Sequence, residues 1–223
     1  MAKTLFITGA SSGIGAATAR AAAKAGWNVG LFARSGDKLR DLAEDIGDAA
    51  LVLEGDATDR QAQADAIAQL VERYGQLDAA FANAGRGTQP AGTEKGDPED
   101  WRAMVDLNIM GALYTAHAAI PHLRKTTGQY VVTGSAAGRR HIKGSIYSAT
   151  KWFIHGFAGN LADEMAEWGG RCMVVSPGMV DTGFFDEPKP DKLQPDDVAQ
   201  AVMHALEAPA HAAIREIHLM PVD

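Results

Sequence analysis

The stretch Leu5-Phe6-Ile7-Thr8-Gly9-Ala10-Ser11-Ser12-Gly13-Ile14-Gly15 decides the fold class. Its apolar start predicts a short buried strand, and the small residues that follow predict a helix over 13–25, closed by Gly26. Glycines between a strand and a helix permit positive φ and let a phosphate approach the backbone closely. The helix N-terminus adds free N–H groups and a positive dipole end. The stretch therefore predicts a phosphate cradle at the first strand-to-helix turn.

Short apolar runs and longer helical patterns alternate along the rest of the chain. The further predicted strands are 29–33, 51–53, 77–82, 130–133, 171–176 and 214–219. The further predicted helices are 36–46, 59–74, two stretches within 98–125, 147–168 and 196–208. Strands separated by helices of this length imply right-handed crossovers and a parallel sheet covered on both faces. We predict a single-domain α/β fold with a doubly wound (Rossmann) sheet of about seven strands, which binds ligands beyond the carboxyl ends of its strands.

Composition excludes several classes of protein. The 223 residues are 46% hydrophobic and 22% charged, which is typical of a globular domain and not of a disordered chain. Acidic residues outnumber basic ones by 28 to 21, and the net charge of −7 disfavours a nucleic acid or an anionic membrane as partner. The single cysteine, Cys172, lies in an apolar run and is expected to be a buried hydrophobe. We find no leader-like segment and expect a cytoplasmic protein.

The histidines do not predict a metal site. His117 and His122 are five residues apart, so they point to different sides of a helix, and there is no His-Glu-x-x-His motif. We therefore expect no metal.

Several motifs together resemble those of one enzyme family. The glycines of the first turn are spaced G-x-x-x-G-x-G after Thr8, and the other matching segments are Asn83-Ala84-Gly85, Leu107-Asn108-Ile109, Ser135, Tyr147-Ser148-Ala149-Thr150-Lys151 and Pro177-Gly178. The chain resembles the short-chain dehydrogenase/reductase family over almost its whole length. The resemblance implies reversible hydride transfer between a nicotinamide dinucleotide and a carbonyl or secondary alcohol. It also implies a cofactor half at about 1–110 and a catalytic half at about 111–223.

The resemblance also implies which residues hold the dinucleotide. Asp56 would contact adenine, and the loop after Pro177 would cover the nicotinamide. The implied cofactor contacts are Gly9, Ser11, Ser12, Gly13, Ile14, Gly15, Arg34, Ser35, Asp56, Ala57, Asn83, Ala84, Gly85, Tyr147, Lys151, Pro177, Gly178, Val180 and Thr182.

The end of the second strand distinguishes NADP from NAD. An acidic residue there usually binds the ribose 2′-OH of NAD, whereas an arginine accommodates the 2′-phosphate of NADP. The strand ends in Ala33-Arg34-Ser35, without a carboxylate. We predict NADP(H), bound by the Arg34 guanidinium and the Ser35 hydroxyl. The alternative is a solvated arginine with NAD bound.

Tyr147 and Lys151 are four residues apart on a predicted helix, so their side chains share one face. A free tyrosine has a pKa near 10, and a nearby ammonium together with the positive ring of an oxidised nicotinamide would favour the phenolate. In the reduction direction, neutral Tyr147 would donate its proton to the carbonyl oxygen. The pair is therefore the candidate acid–base group.

The resemblance implies two further catalytic residues, Ser135 and Asn108. Ser135 would hold the substrate oxygen, and Asn108 would hold a water that connects Lys151 to solvent. Ser135 precedes Tyr147 by twelve residues, where many members of the family have thirteen. Gly134 would fit thirteen but has no hydroxyl. Because Ser135-Ala136-Ala137-Gly138 matches the Ser-x-x-Gly run of the family, we place the gap in the loop that follows.

Residues after the catalytic serine and in the loop 177–195 are candidates for substrate contact. They are Ala136, Ala137, Arg139, Arg140, His141, Trp152, Met179, Phe184 and Phe185. The cluster Arg139-Arg140-His141 has two interpretations. It could anchor a substrate carboxylate, or it could be a run of charges that contacts solvent or another subunit.

Two other functions fit parts of the pattern. A dinucleotide-sensing regulatory module would keep the glycine turn without turnover, but the presence of Tyr147, Lys151 and Asn108 favours an enzyme. A sugar-nucleotide epimerase or dehydratase would need a large substrate domain after Lys151. The resemblance also implies a homodimer or homotetramer that pairs helices over 105–125 and 147–168, with Ala158, Gly159 and Ala162 allowing close approach.

Overall fold

The computed structural model describes residues 1–87, 92–184 and 187–222. Its strands are β1 (Thr4–Thr8), β2 (Asn28–Ala33), β3 (Ala50–Glu54), β4 (Ala79–Ala82), β5 (Gln129–Thr133), β6 (Arg171–Pro177) and β7 (Glu216–Leu219). Its α-helices are α1 (Gly13–Lys24), α2 (Gly36–Ile46), α3 (Arg60–Tyr74), α4 (Pro98–Val105), α5 (Ala112–Thr126), α6 (Ile146–Ala166) and α7 (Pro195–Leu206). Short π and 3₁₀ turns span Asp106–Gly111 and Ala136–Arg139.

Within these residues the strands form one parallel sheet in the order β3-β2-β1-β4-β5-β6-β7. The chain builds outward from β1 to β3 and then returns to place β4 on the other side of β1. The connections that follow β1 and β4 therefore leave the sheet toward opposite faces and open a crevice between them, which is where doubly wound sheets bind ligands. The predicted fold class, single α/β domain and strand number are confirmed.

Alternate residues of each central strand serve two separate cores. Leu5 and Ile7 face a core that includes residues of α1, α2 and α7, whereas Phe6 faces a core that includes residues of α3, α5 and α6. All three side chains are fully buried. This period-two alternation is what a sheet covered on both faces requires.

The helix ends follow the local signals of the sequence. Helix α1 ends at Lys24, followed by Gly26 with φ 85°, as the sequence predicts. Asp59 begins α3, where its carboxylate accepts the backbone N–H groups of Gln61 and Ala62 at 2.8 and 3.1 Å. These caps orient the helices that return the chain to the amino edge of the sheet.

The region predicted as two helices within 98–125 contains a π-helical turn that the sequence pattern does not indicate. The turn Asp106–Gly111 joins α4 to α5 without a break. The carbonyl oxygen of Gly111 accepts Gln63 Nε2–H and the Thr115 hydroxyl, both at 3.0 Å. Such turns recur at functional sites because they re-aim side chains within a helix, and this one carries Asn108.

Candidate active site

The glycine turn forms a surface that a larger residue would fill. Gly9 has φ 68° and Gly13 has φ 52°, a region that favours glycine. A Cβ atom at Gly9 would lie 2.9 Å from Ala84 Cα, and one at Gly15 would collide with the carbonyl oxygen of Gly9. Ser12 precedes α1 without capping it through its side chain, and no acidic residue occupies the first turn of the helix. The turn, which also carries Ser11 and Ile14, therefore has the shape and the polarity of a phosphate cradle.

The ends of β1 and β4 are tied together at this cradle. The Thr8 hydroxyl accepts the backbone N–H groups of Asn83 and Ala84, each at 3.1 Å. The Asn83 amide donates to the Thr8 carbonyl oxygen at 3.2 Å and accepts from the Thr133 hydroxyl at 3.1 Å. The segment Asn83-Ala84-Gly85 thus follows β4 directly and is held against the end of β1.

The candidate adenine end lies beyond β2 and β3. The Arg34 side chain is 77% exposed, and its Nη1 lies 3.8 Å from Asp56 Oδ2. Asp56 also accepts the Thr58 backbone N–H at 2.8 Å. Ser35 precedes α2 with no capping bond from its hydroxyl, and Ala57 is buried. Arg34 and Ser35 can therefore both turn toward a ligand, with Asp56 as the local competitor for the guanidinium.

The loop after β6 returns to the glycine turn. The Gly178 N–H donates to the Leu219 carbonyl oxygen at 2.7 Å, and Val180 is buried. Thr182 Cγ2 lies 3.1 Å from where a Cβ of Gly13 would be. The segment from Pro177 to Thr182 therefore runs from β7 back to the glycine turn.

Lys151 is a buried cation beside Tyr147. Its side chain is on α6, with the residue only 4% exposed, and its Nζ donates to the Thr133 carbonyl oxygen at 2.7 Å. Burial lowers the pKa of Lys151 from 10.5 to about 8. Nζ lies 5.7 Å from the centroid of the Tyr147 ring, so the two side chains share one face of the helix, as their spacing predicts.

Tyr147 is half-buried and faces Ser135. Burial raises the pKa of Tyr147, and a hydrogen bond with Ser135 partly offsets this rise. The sequence argument expected the neighbouring ammonium to favour the phenolate, but in the coenzyme-free protein desolvation dominates. The polypeptide alone therefore keeps Tyr147 in its neutral, proton-donating form.

Ser135 begins the 3₁₀ turn that follows β5. Ser135 is extended (φ −173°), and its Oγ accepts the Ala137 N–H at 3.1 Å. A Cβ at Gly134 would face Val174, Ser176 and His155 and not Tyr147. Of the two residues weighed for this position, Ser135 is therefore the one beside the phenol.

Asn108 links three segments of the site through its side-chain amide. Its Oδ1 accepts the Arg86 N–H and its Nδ2 donates to the Arg86 carbonyl oxygen, both at 2.8 Å. Nδ2 also donates to the Thr150 hydroxyl at 3.1 Å. Because these bonds engage protein groups, a water that leads to Lys151 would have to use the remaining Oδ1 lone pair or the backbone carbonyl of the π-helical turn.

Only some of the candidate substrate residues lie near Tyr147; the others face away from it, are buried, or lie outside the described residues. Phe184 lies with its ring centroid 5.3 Å from that of Tyr147, and Met179 is 43% exposed. Arg139 instead turns to β7, where its Nε donates to Glu216 Oε1 at 2.7 Å. Arg140 is exposed, and the ring of His141 stacks on that of Trp152 with centroids 5.6 Å apart. Ala136 and Ala137 are buried in the 3₁₀ turn, and Phe185 lies outside the described residues.

The sequence argument missed His155, Ser176 and Glu216, which lie behind Ser135. His155 Nε2 is 3.3 Å from both the Ser135 carbonyl oxygen and Ser176 Oγ. One signal was available, because His155 continues the four-residue spacing of Tyr147 and Lys151 along α6.

Two of the three small residues expected at a subunit contact are buried inside the protein, so the expectation is wrong for them. Ala158 and Ala162 are each 3% exposed and pack in the protein's own core, because they lie on the sheet-facing side of α6. Gly159 has nothing within 4 Å of its Cβ position. Trp152 and Phe153 on α6 are 45% and 41% exposed.

In residues 1–87, 92–184 and 187–222, no three side chains of the metal-binding types cluster. In the same ranges, no helix combines the length and the apolar character that a membrane crossing demands.

Comparison with known proteins identifies the family. The chain matches the family model described as short chain dehydrogenase over residues 3–193. It is 38% identical to an uncharacterized oxidoreductase of Staphylococcus saprophyticus, with 99% of this chain and 97% of the relative covered. The protein therefore belongs to the short-chain dehydrogenase family and is an oxidoreductase of that family.

Solved structures agree with this assignment. The alcohol dehydrogenase of the archaeon Thermococcus sibiricus, complexed with 5-hydroxy-NADP, superposes with a TM-score of 0.92 at 31% identity, covering 100% of this chain and 97% of the other. The 3-ketoacyl-(acyl-carrier-protein) reductase of Brucella melitensis, complexed with NADH, gives 0.88 at 26% identity, covering 97% and 96%. Both neighbours bind a nicotinamide dinucleotide: the first an NADP derivative, which has the 2′-phosphate, and the second NADH, which lacks it.

Proposed function

We propose that the protein transfers hydride reversibly between NADP(H) and the carbonyl or secondary alcohol of a small substrate. The observation that carries the proposal is the buried Lys151 ammonium, 5.7 Å from the ring centroid of Tyr147, beside a Ser135 side chain that acts on the Tyr147 pKa. When bound, the dinucleotide supplies the hydride in reduction and accepts it in oxidation. The two structural neighbours, an alcohol dehydrogenase and a ketoacyl reductase, support this reaction type.

In reduction, Tyr147 Oη gives its proton to the substrate oxygen as negative charge develops there. Burial favours this role because it raises the pKa of the phenol and keeps it protonated at neutral pH. Lys151 stabilises the phenolate left behind, and its Nζ is held for this purpose by the Thr133 carbonyl oxygen at 2.7 Å. In oxidation the same phenolate takes the proton from the alcohol.

Ser135 and Asn108 support this proton transfer. The Ser135 hydroxyl donates to the substrate oxygen while its lone pair accepts from Ala137 N–H at 3.1 Å, which limits its rotation. Asn108 holds the π-helical turn against Arg86 and Thr150 and keeps a path from Lys151 to solvent. Dinucleotide contacts come from the glycine turn and the segments 34–35, 56–57, 83–85 and 177–182.

The preferred coenzyme in this proposal is NADP(H). Arg34 is free to swing because its side chain is 77% exposed and its partner Asp56 is 3.8 Å away. The neighbours do not decide the question, since one is complexed with an NADP derivative and the other with NADH. A ratio of kcat/KM for NADPH over NADH below one would end this part of the proposal.

The substrate-facing surface favours a neutral carbonyl compound. Arg139 is neutralised by Glu216, so it does not offer a charge to a substrate carboxylate. Phe184 and Met179 give the accessible side of Tyr147 an apolar, aromatic wall. Arg140 is exposed, so if an acidic compound were turned over instead, Arg140→Ala would reduce the effect of the substrate's negative charge on KM.

The assembly and the location belong to the same proposal. We place a homodimer or homotetramer contact on the outer face of α6, where Trp152, Phe153 and Gly159 are accessible. The cytoplasm fits a chain whose one cysteine, Cys172, has no internal disulfide partner. The cofactor half at about 1–110 and the catalytic half at about 111–223 meet at the crevice between Gly9 and Lys151.

A substrate screen with a tyrosine variant tests the reaction. Aldehydes, ketones, hydroxy acids and sugars are offered with NADPH or NADP⁺, and the best substrate is then given to Tyr147→Phe and to the control Tyr74→Phe. We expect Tyr147→Phe to lose about 10²–10⁴-fold in kcat with its coenzyme Kd unchanged, because only the proton donor is removed. Tyr74, whose hydroxyl meets a surface carbonyl of Asp48, should tolerate the change.

Two outcomes would contradict the proposal. Undiminished turnover by Tyr147→Phe would remove the assigned proton donor. Tight NADPH binding without turnover of any compound would instead favour a dinucleotide-sensing module.

A further inference from the structure

A polar cluster behind the catalytic serine takes no part in the proposed proton transfer. His155 lies on α6 one turn beyond Lys151, and its ring packs against the turn that carries Ser135. Cβ atoms at Gly134 and Gly138 would lie 3.1 Å from His155 Nε2 and 2.6 Å from its Cδ2. Glycine at both positions therefore makes the seat for the imidazole ring.

His155 Nε2 contacts the backbone of the serine itself. It lies 3.3 Å from the Ser135 carbonyl oxygen, which also accepts the Gly138 N–H at 2.9 Å. It is equally 3.3 Å from Ser176 Oγ, a fully buried hydroxyl at the end of β6. A carbonyl oxygen can only accept, so we assign the ring proton to Nε2.

The opposite edge of the ring faces a carboxylate that is already engaged. His155 Nδ1 lies 3.7 Å from Glu216 Oε1 on β7, beyond hydrogen-bond reach, and Arg139 binds the same carboxylate. Burial lowers the pKa of His155 and outweighs the hydrogen bond to the Ser135 carbonyl, which raises it; the positive charges of Arg139 and Lys151, together with His218, add to the lowering. The ring is therefore neutral at pH 7, with a single N–H to donate.

We propose that His155 is a positioning residue for the reaction: by holding the Ser135 carbonyl oxygen from behind, it aims the Ser135 hydroxyl at the oxygen shared with Tyr147. The inference rests on the proposed function. Ser135 has left the sheet two residues after β5, so the strand ladder no longer fixes its backbone. Two bonds to its carbonyl and one to its Oγ replace that constraint. The two backbone donors are the Gly138 and Ala137 N–H groups, and His155 adds a side-chain donor to the carbonyl.

A double-mutant cycle separates positioning from packing. We compare His155→Leu in the wild-type and Ser135→Ala backgrounds, using the best carbonyl compound of the screen and NADPH. Ser135→Ala keeps the carbonyl but removes the hydroxyl that His155 is proposed to aim. We expect His155→Leu to lower kcat about tenfold in the wild type and less than twofold in Ser135→Ala, with the NADPH KM within twofold in both.

Conservative replacements keep the test usable if leucine disrupts the fold. His155→Gln carries an amide N–H to about the distance of Nε2, whereas His155→Asn is too short to reach Ser135. We expect the glutamine variant to keep kcat within about threefold of wild type and the asparagine variant to fall with leucine. His204→Leu, on the exposed side of α7, is the matched control and should change neither kcat nor Tm.

The outcomes distinguish this inference from the proposed function. No turnover by the wild type with any compound removes the proposed function and this inference with it. Turnover that His155→Leu and His155→Asn leave unchanged overturns the inference alone. Equal losses in both backgrounds, or no recovery by glutamine, would make His155 a packing residue and also overturn it.

Discussion

Replacing Lys151 by methionine tests whether this proposed catalytic cation is held at a cost to the stability of the fold. Burial lowers the pKa of Lys151 from 10.5 to about 8. At pH 7 the amine is charged in both the folded and the unfolded chain, so this difference opposes folding by about 3 kcal/mol. Removing the ammonium should therefore stabilise the fold by about 3 kcal/mol. The Thr133 carbonyl oxygen loses its hydrogen-bond donor in the variant, which destabilises the fold by about 1 kcal/mol. We expect Lys151→Met to be about 2 kcal/mol more stable than the wild type at pH 7.

The stability difference between Lys151→Met and the wild type should decrease as the pH rises. Between pH 8 and 10.5 the unfolded chain still binds the proton that the folded protein has released, so the stability of the wild type rises with pH. The methionine variant lacks this group. From pH 7 to pH 9.5 its advantage should therefore shrink by about 2 kcal/mol. Other groups that titrate in this range, Cys172 included, are present in both proteins and cancel in the difference.

Urea unfolding of both coenzyme-free proteins at the two pH values measures the effect. Equal m-values would establish that the same surface is exposed in both unfolding reactions. A stability difference that stays constant within about 0.5 kcal/mol across the range would refute the reasoning. It would mean that Nζ reaches water in solution and that Lys151 is not the desolvated cation described above.

Three further predictions follow from the crevice and the core. Arg34→Asp should raise the KM for NADPH about 10–100-fold and lower that for NADH, because it replaces the proposed 2′-phosphate partner at the end of β2 by a repulsive charge; parallel changes for both coenzymes would contradict it. Gly15→Ala should abolish NADPH binding in a fluorescence titration, since its Cβ collides with Gly9, whereas Gly159→Ala, with open space around it, should bind normally. Cys172 is 2% exposed and burial raises its pKa to about 12, so a thiol reagent at pH 8 should label it only after denaturation.

Much of the architecture could be predicted from the sequence, because strands, helices and helix ends are determined by residues close together in the chain. Short apolar strands that alternate with helices pair their backbone N–H and C=O groups in a parallel sheet. The crossover helices then cover both faces of that sheet. Gly26 and Asp59 mark helix ends through bonds to neighbouring residues. The π-helical turn around Asn108 escapes such reasoning, because its wider geometry is stabilised by Gln63 and Thr115, far along the chain or on the next helix.

The subunit contact shows how a correct element can still be misread. The helix was predicted, but Ala158 and Ala162 were assigned to its outer face. Small residues are equally suited to pack against a sheet and against a partner, so composition does not distinguish the two. The rotation of α6 about its axis, which buries both alanines, decides it.

The sequence by itself determined the glycine turn and the adjacency of Tyr147 and Lys151, since one turn of helix places residues four apart on the same face whatever surrounds it. Only the tertiary structure decided how those groups behave. The pKa of Lys151 depends on which elements exclude water from it. The pairing of Arg139 with Glu216 joins residues 77 apart in the chain, and the contact of His155 with Ser135 joins a helix to the end of a strand. Desolvation and long-range contacts of this kind depend on every neighbour at once, so no local pattern encodes them.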